Sequence, residues 1–105
     1  MPTLKKKPTL QDIQRYVEKA EGERGFLKET VLQKCLLLGE EVGELFKAVR
    51  KSEKIKVDKN STFTSIEEEL ADIIIYLCSI ANRRKINLEQ AFRDKEEKNK
   101  KRTWK

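Results

Sequence analysis

The sequence predicts an all-α domain, a bundle-like arrangement of four helices around an antiparallel central pair. Two observations predict it. Apolar residues recur at spacings of three and four in four separate segments. Of the 105 residues, 40% are charged and only 7% aromatic, a balance that suits helices with charged outer faces better than a sheet. A chain of this length makes one domain, residues 1–105, with a modest core that self-association would help to complete.

Residues 1–8 read as a flexible basic tail with Pro2 and Pro8. Thr9 with Asp12 resembles a capping box. Leu10, Ile13, Val17 and Ala20 then follow at helical spacing, and Gly22 and Gly25 are expected to end that helix in a turn. A second helix is expected from Thr30 to about Lys51. Its apolar positions (Val31, Leu32, Cys35, Leu36, Leu38, Val42, Leu45, Phe46 and Val49) form a stripe broad enough to be packed on more than one side. Gly39 and Gly43 inside it each cost about 1 kcal/mol relative to alanine, so a close backbone approach is expected there.

Residues 52–64 are polar and lysine-rich and read as a loop. Ser65 with Glu68 opens a third helix, whose buried stripe is Ile66, Leu70, Ile73, Ile74, Leu77, Ile80 and Ala81. Four of these are β-branched, which weakly favours a strand; period and length favour a helix. Asn87 with Gln90 opens a fourth helix that carries Leu88, Ala91 and Phe92 and ends in a basic stretch up to Trp104.

The net charge of +6 favours phosphate-bearing partners. With no histidine in the chain, catalysis falls to carboxylate, lysine, tyrosine, cysteine or metal-bound water. Cys35 and Cys78 have neither CxxC nor zinc spacing; both read as buried thiols of a reducing cytoplasm. The N-terminus lacks the apolar run of a signal peptide, and no stretch is long enough to span a membrane.

Glu41, with Leu38 three residues before it and Leu45 four after, sits within the apolar stripe of its helix. Glu69 is placed alike, between Ile66 and Ile73, and Asp72 precedes Ile75 and Tyr76. Ionised carboxylates are rarely buried unless paired or bound to a metal. Glu41 and Glu44 stand at i, i+3 on the second helix, Glu69 and Asp72 at i, i+3 on the third. In an antiparallel hairpin, at ~1.5 Å per residue, the two pairs lie at about the same height. Either pair alone suits a solvated helix face, the reading given to Glu40, Glu67 and Glu68. Two pairs converging would repel without a cation, and oxygen-only ligands suit Mg²⁺ or Mn²⁺.

The runs LLGEEVGELFKAVRK at 37–51 and EEELADIIIYL at 67–77 resemble the MazG-like nucleoside triphosphate pyrophosphohydrolases of the all-α NTP pyrophosphatase superfamily. The family pattern is ExxE, a spacer, then ExxD, met here by Glu41, Glu44, Glu69 and Asp72, with Glu40 completing the EExxE form. Lys95, Asn99 and Arg102 match its Lys, Asn, Arg pattern. The resemblance covers roughly residues 9–104; the chain has one domain where longer members have two.

The resemblance implies Mg²⁺-dependent cleavage of a nucleoside triphosphate to monophosphate and pyrophosphate, with Mn²⁺ able to substitute. Glu41, Glu44, Glu69 and Asp72 would hold the metal. Glu40 or Glu41 would accept a proton from the attacking water. Lys95 and Arg102 would hold phosphate oxygens, with Asn99 fixing their geometry. Phe26 in the ERGF turn is a candidate to pack against the base, as is Trp104 by stacking. Whether the substrates are deoxynucleotides or non-canonical nucleotides is not written in the sequence. The broad apolar stripes predict a homodimer or homotetramer. The alternative is a non-enzymatic basic module binding nucleic acid or a protein; inward carboxylates oppose nucleic acid, which is not expected as a partner.

Overall fold

The computed structural model describes residues 2–55 and 64–104. It has four helices, α1 (Leu10–Arg24), α2 (Val31–Ser52), α3 (Ile66–Arg83) and α4 (Leu88–Lys100), and no strand among the described residues. Residues 56–63 of the expected loop lie outside that description.

Each helix starts where a short polar side chain can take the place of a missing backbone acceptor. Thr9 and Asp12 form a full capping box: Asp12 N–H donates to Thr9 Oγ1 at 3.1 Å, and Thr9 N–H to Asp12 Oδ2 at 2.8 Å. Thr30 and Gln33 form a second box on α2. Ser65 and Asn87 cap α3 and α4 by accepting from the N–H of Glu68 and Gln90, both at 3.1 Å. The Gln90 side chain donates forward to Asp94, at 2.9 Å. The end of α1 differs from expectation: Gly22 continues the helix, and Gly25 alone ends it, at φ 78° in the left-handed region that favours glycine.

The helices α2 and α3 pack on one another, α1 lies against α3, and α4 rests on α1. The central pair is antiparallel. The Glu29 carbonyl, just before α2, accepts from Arg83 at the end of α3, while Glu41 further along α2 meets Glu69 near the start of α3. The core residues Val17, Ala20, Ala48, Cys78 and Ala81 are small, and they share the interior with Gln14, Glu21, Lys34, Glu69 and Ser79. Gln14 ties three elements together: its side chain donates to Asn82 and the Ile86 carbonyl and accepts from the N–H of Leu88, opening α4.

The broad stripes of the central helices are only half covered. Leu32, Leu36 and Phe46 on α2 are each more than 60% exposed, and Leu70, Ile74 and Leu77 on α3 are exposed too. Cys35 is exposed beside Leu36, against the expectation that both cysteines are buried. Gly39 and Gly43 have open space where a Cβ would sit, so no neighbour among the described residues requires them. The radius of gyration is 16.5 Å, against about 13 Å for a compact domain of this length. The accessible surface is 8619 Å², against roughly 6,100 Å² expected for this mass.

Candidate active site: an acidic cluster beside an aromatic cleft

Helix periodicity places Glu41 on the α2 face that meets α3, and places Glu69 and Asp72 one turn apart on the facing side of α3. Carboxylate oxygens of these three residues lie within 4.8 Å of one another. Glu69 is only 2% exposed. Its Oε1 accepts from the Thr64 hydroxyl, and its Oε2 is buried without a hydrogen-bond partner. A hydrogen bond to Glu69, then burial and the charges of Glu69, Asp72 and Glu44, push the Glu41 carboxyl up to about 7. The same bond, with that from Thr64, holds Glu69 below the ordinary carboxylate range. Crowding of the carboxylates therefore favours a proton on the cluster near neutrality.

Three of the four expected ligands are thus brought together. Glu44 acts on Glu41 only through its charge; its own side chain is half-exposed and faces Lys47 at 3.7 Å. Lys47 relieves there the repulsion that a fourth inward carboxylate would add. Glu40 is solvent-exposed beside Glu41.

Asp72 also lines a cleft of ≈ 180 Å³ between α1, α2 and α3, whose walls include Tyr16, Phe26, Lys34, Ile75 and Tyr76. Phe26, singled out from the sequence, does stand at this cleft. Lys34 is buried beneath it: its Nζ lies 3.3 Å from Glu21 and 2.7 Å from Glu29. The same ammonium is 5.1 Å from the Phe26 ring centre and 5.7 Å from that of Tyr76. Arg83 forks onto both Glu21 oxygens at 3.1 and 3.0 Å and also donates to the Phe26 carbonyl at 2.8 Å, fixing the turn that carries Phe26. Burial would raise the Glu21 carboxyl, but Arg83, Ser79 and Lys34 outweigh it and keep it below its ordinary value. Burial above all, with the charge of Glu41, raises the Tyr76 phenol, so it stays a donor.

Sequence reasoning missed Glu21, Lys34, Tyr76 and Arg83. Lys34, between Val31 and Leu38 at helical spacing, carried the same signal as Glu41, a charge inside an apolar stripe.

The C-terminal residues are placed elsewhere. The hollow around Trp104 is lined by Glu96, Asn99 and Lys100, and none of Lys95, Asn99 and Arg102 lines the cleft with Asp72. Asn99 donates to Glu96 at 2.7 Å, and the Arg102 guanidinium covers the Trp104 ring at 4.5 Å. Because α4 ends at Lys100, Arg102 does not share one helix face with Lys95 and Asn99.

Two acidic motifs meeting on a helix pair invite comparison with known families. The MazG nucleotide pyrophosphohydrolase domain model matches residues 27–105. The chain belongs to the MazG family. It is accordingly a nucleoside triphosphate pyrophosphohydrolase, of a family that depends on divalent metal. A search of curated proteins finds no match. The match begins after Phe26, so the α1 wall of the MazG cleft, with Tyr16, Glu21 and Phe26, is contributed by residues before it. Among the described residues, no helix is long and apolar enough to cross a membrane.

Proposed function

We propose that this MazG domain hydrolyses deoxynucleoside or non-canonical nucleoside triphosphates to the monophosphate and pyrophosphate, with Mg²⁺ as its metal and Mn²⁺ as a substitute. The observation that carries the reading is the cluster of Glu41, Glu69 and Asp72 with its unpartnered, buried Glu69 oxygen. An oxygen-only donor set with an unfilled acceptor fits a hard divalent cation. Glu41, Glu69 and Asp72 would hold it, with Glu44 turning from Lys47 to join them. When bound, the ion supplies charge neutralisation for the phosphates and acidifies water.

The remaining work falls to the chain. Glu40, exposed beside Glu41, can take up the proton released by water. The cleft, too small for a whole nucleotide, suits the base, with Phe26 and Tyr76 as its aromatic walls. Lys95, Asn99 and Arg102 are proposed to reach the phosphates in the assembled protein rather than within one chain.

The assembly we propose is a homodimer, or a pair of such dimers, in the cytoplasm, where the two free thiols stay reduced. Leu32, Leu36, Gly39, Gly43 and Phe46 are spaced four, three, four and three apart, a coiled-coil seam left exposed on α2. Glycines at its centre would let a second α2 approach closely. The surface in excess of a compact chain is of the size that obligate dimers bury.

The reading is tested by phosphorus NMR of reactions with Mg²⁺. Monophosphate and pyrophosphate in equal amounts support it. Diphosphate and inorganic phosphate, or no turnover of any triphosphate, would overturn it.

A further inference from the structure

The Lys34 ammonium has three N–H donors. Glu21 and Glu29 face two of them, and the rings of Phe26 and Tyr76 stand beside the ammonium. Its side chain is only 4% exposed. Yet Lys34 lines the cleft, between the rings of Phe26 and Tyr76. An acceptor that enters the cleft can take a hydrogen bond from the ammonium, whereas a group that enters without one would shield it from water unpaired.

The ligand that fits is neutral and planar. Charged side chains lining the cleft balance, with Glu21 and Asp72 against Arg24 and Lys34. Lys34 is moreover already neutralised by two carboxylates, so the cleft holds no surplus charge for a phosphate. Aromatic walls favour a flat π-system. A donor at the floor selects an acceptor on the edge of that ring. A carbonyl provides it; an exocyclic amino group, itself a donor, would oppose Lys34 and leave both unpaired.

We propose that Lys34 is a specificity-determining residue that makes the cleft select bases bearing a carbonyl, over an amino group, on the edge opposite the sugar. This rests on the reading of the cleft as the base site. The discrimination expected is large, because a site built to satisfy a buried polar group rejects the analogue that leaves it unpaired.

Two substrate pairs exchange this group, and with it the proton on the neighbouring ring nitrogen: uridine and cytidine triphosphates, and inosine and adenosine triphosphates. The wild-type protein should favour the oxo member of each pair at least tenfold in kcat/KM. Lys34→Met, which keeps the aliphatic stem, should bring the two members of each pair to within about twofold of one another. Because that variant also removes a partner of Glu21 and so weakens the fold, the wild-type protein supplies a second measurement. Calorimetry with UMP and CMP in the presence of a chelator should show UMP bound at least tenfold more tightly. Equal rates within each pair, equal binding of UMP and CMP, or unchanged ratios in a folded Lys34→Met protein would each overturn the assignment. Absence of turnover for all four triphosphates would instead strike at the pyrophosphohydrolase reading, and the monophosphate binding would still decide the role of Lys34.

Discussion

Glu41 and Glu69 face each other across the α2–α3 interface with carboxylate oxygens within 4.8 Å, close enough that Glu69, with burial, holds the Glu41 carboxyl up at about 7. Asp72 closes the third side. A proton and a divalent cation are alternative ways of relieving the same repulsion, and they compete for the same oxygens.

This competition sets a pH dependence. The Glu41 carboxyl is raised from 4.5 to about 7 in the folded chain, so the unfolded chain ionises first. Between those values the metal-free protein should lose stability as pH rises, and above about 7 the loss is complete. Glu69, held low, acts in the opposite sense, but its contribution is lost only as pH falls below its ordinary 4.5. Thermal melts in chelator from about pH 5 to about pH 8 check the trend. A Glu41→Gln protein should show a flatter profile; a wild-type melting point rising across that window would contradict a proton on the cluster.

Metal binding should reverse the trend. Divalent cation is expected to raise the melting temperature more at pH 8 than at pH 6, because less proton must be displaced. Asp72→Asn should abolish that stabilisation and lower kcat/KM by about 100-fold or more, roughly 2.7 kcal/mol. In chelator it should melt at or above the wild-type temperature, since one repelling charge is gone. Near-normal turnover in this variant would remove Asp72 from the site.

The Glu21–Arg83 fork is a structural element with a stability cost attached. Arg83→Ala leaves Glu21 buried with Lys34 as its remaining cation and frees the Phe26 turn. Denaturant unfolding should show a loss of about 3 kcal/mol. A loss below about 0.5 kcal/mol would mean that the pair behaves as a surface bridge.

Most of the fold is legible in the sequence because its determinants are local. Thr9, Thr30, Ser65 and Asn87 stand at the helix starts, and the three-four spacing of apolar residues gives the elements between. Glu41, Glu69 and Asp72 are legible for the same reason, as charges inside apolar stripes. What depends on distant contacts is not. Nothing local to Glu21 announces that Arg83, far along the chain, forks onto it, or that Lys34 lies beneath Phe26 and Tyr76. The apolar stripe around Cys35, Gly39 and Gly43 suggests a buried surface, whereas that face of α2 is open.

That open face gives a further test. Phe46→Asp places a charge at the exposed seam without touching the α2–α3 interface. Light scattering should show a dimer for the wild-type chain and a shift toward monomer for the variant. A wild-type monomer at micromolar concentration would remove the need for the seam.

The C-terminal segment separates a phosphate clamp from bulk charge. Arg102→Ala and Lys95→Ala should each reduce kcat/KM about tenfold or more, on the order of 1.4 kcal/mol. Lys98→Ala and Lys101→Ala should change it far less. Equal, small effects at all four positions would dismiss the clamp.

The central claim, that the carboxyl cluster is the metal centre, is tested most directly by anomalous diffraction from crystals grown with Mn²⁺. A peak bounded by Glu41, Glu69 and Asp72 is expected, with the metal ion in place of the proton that relieves their repulsion. Bound Mn²⁺ elsewhere on the protein, with none at these carboxylates, would contradict that claim.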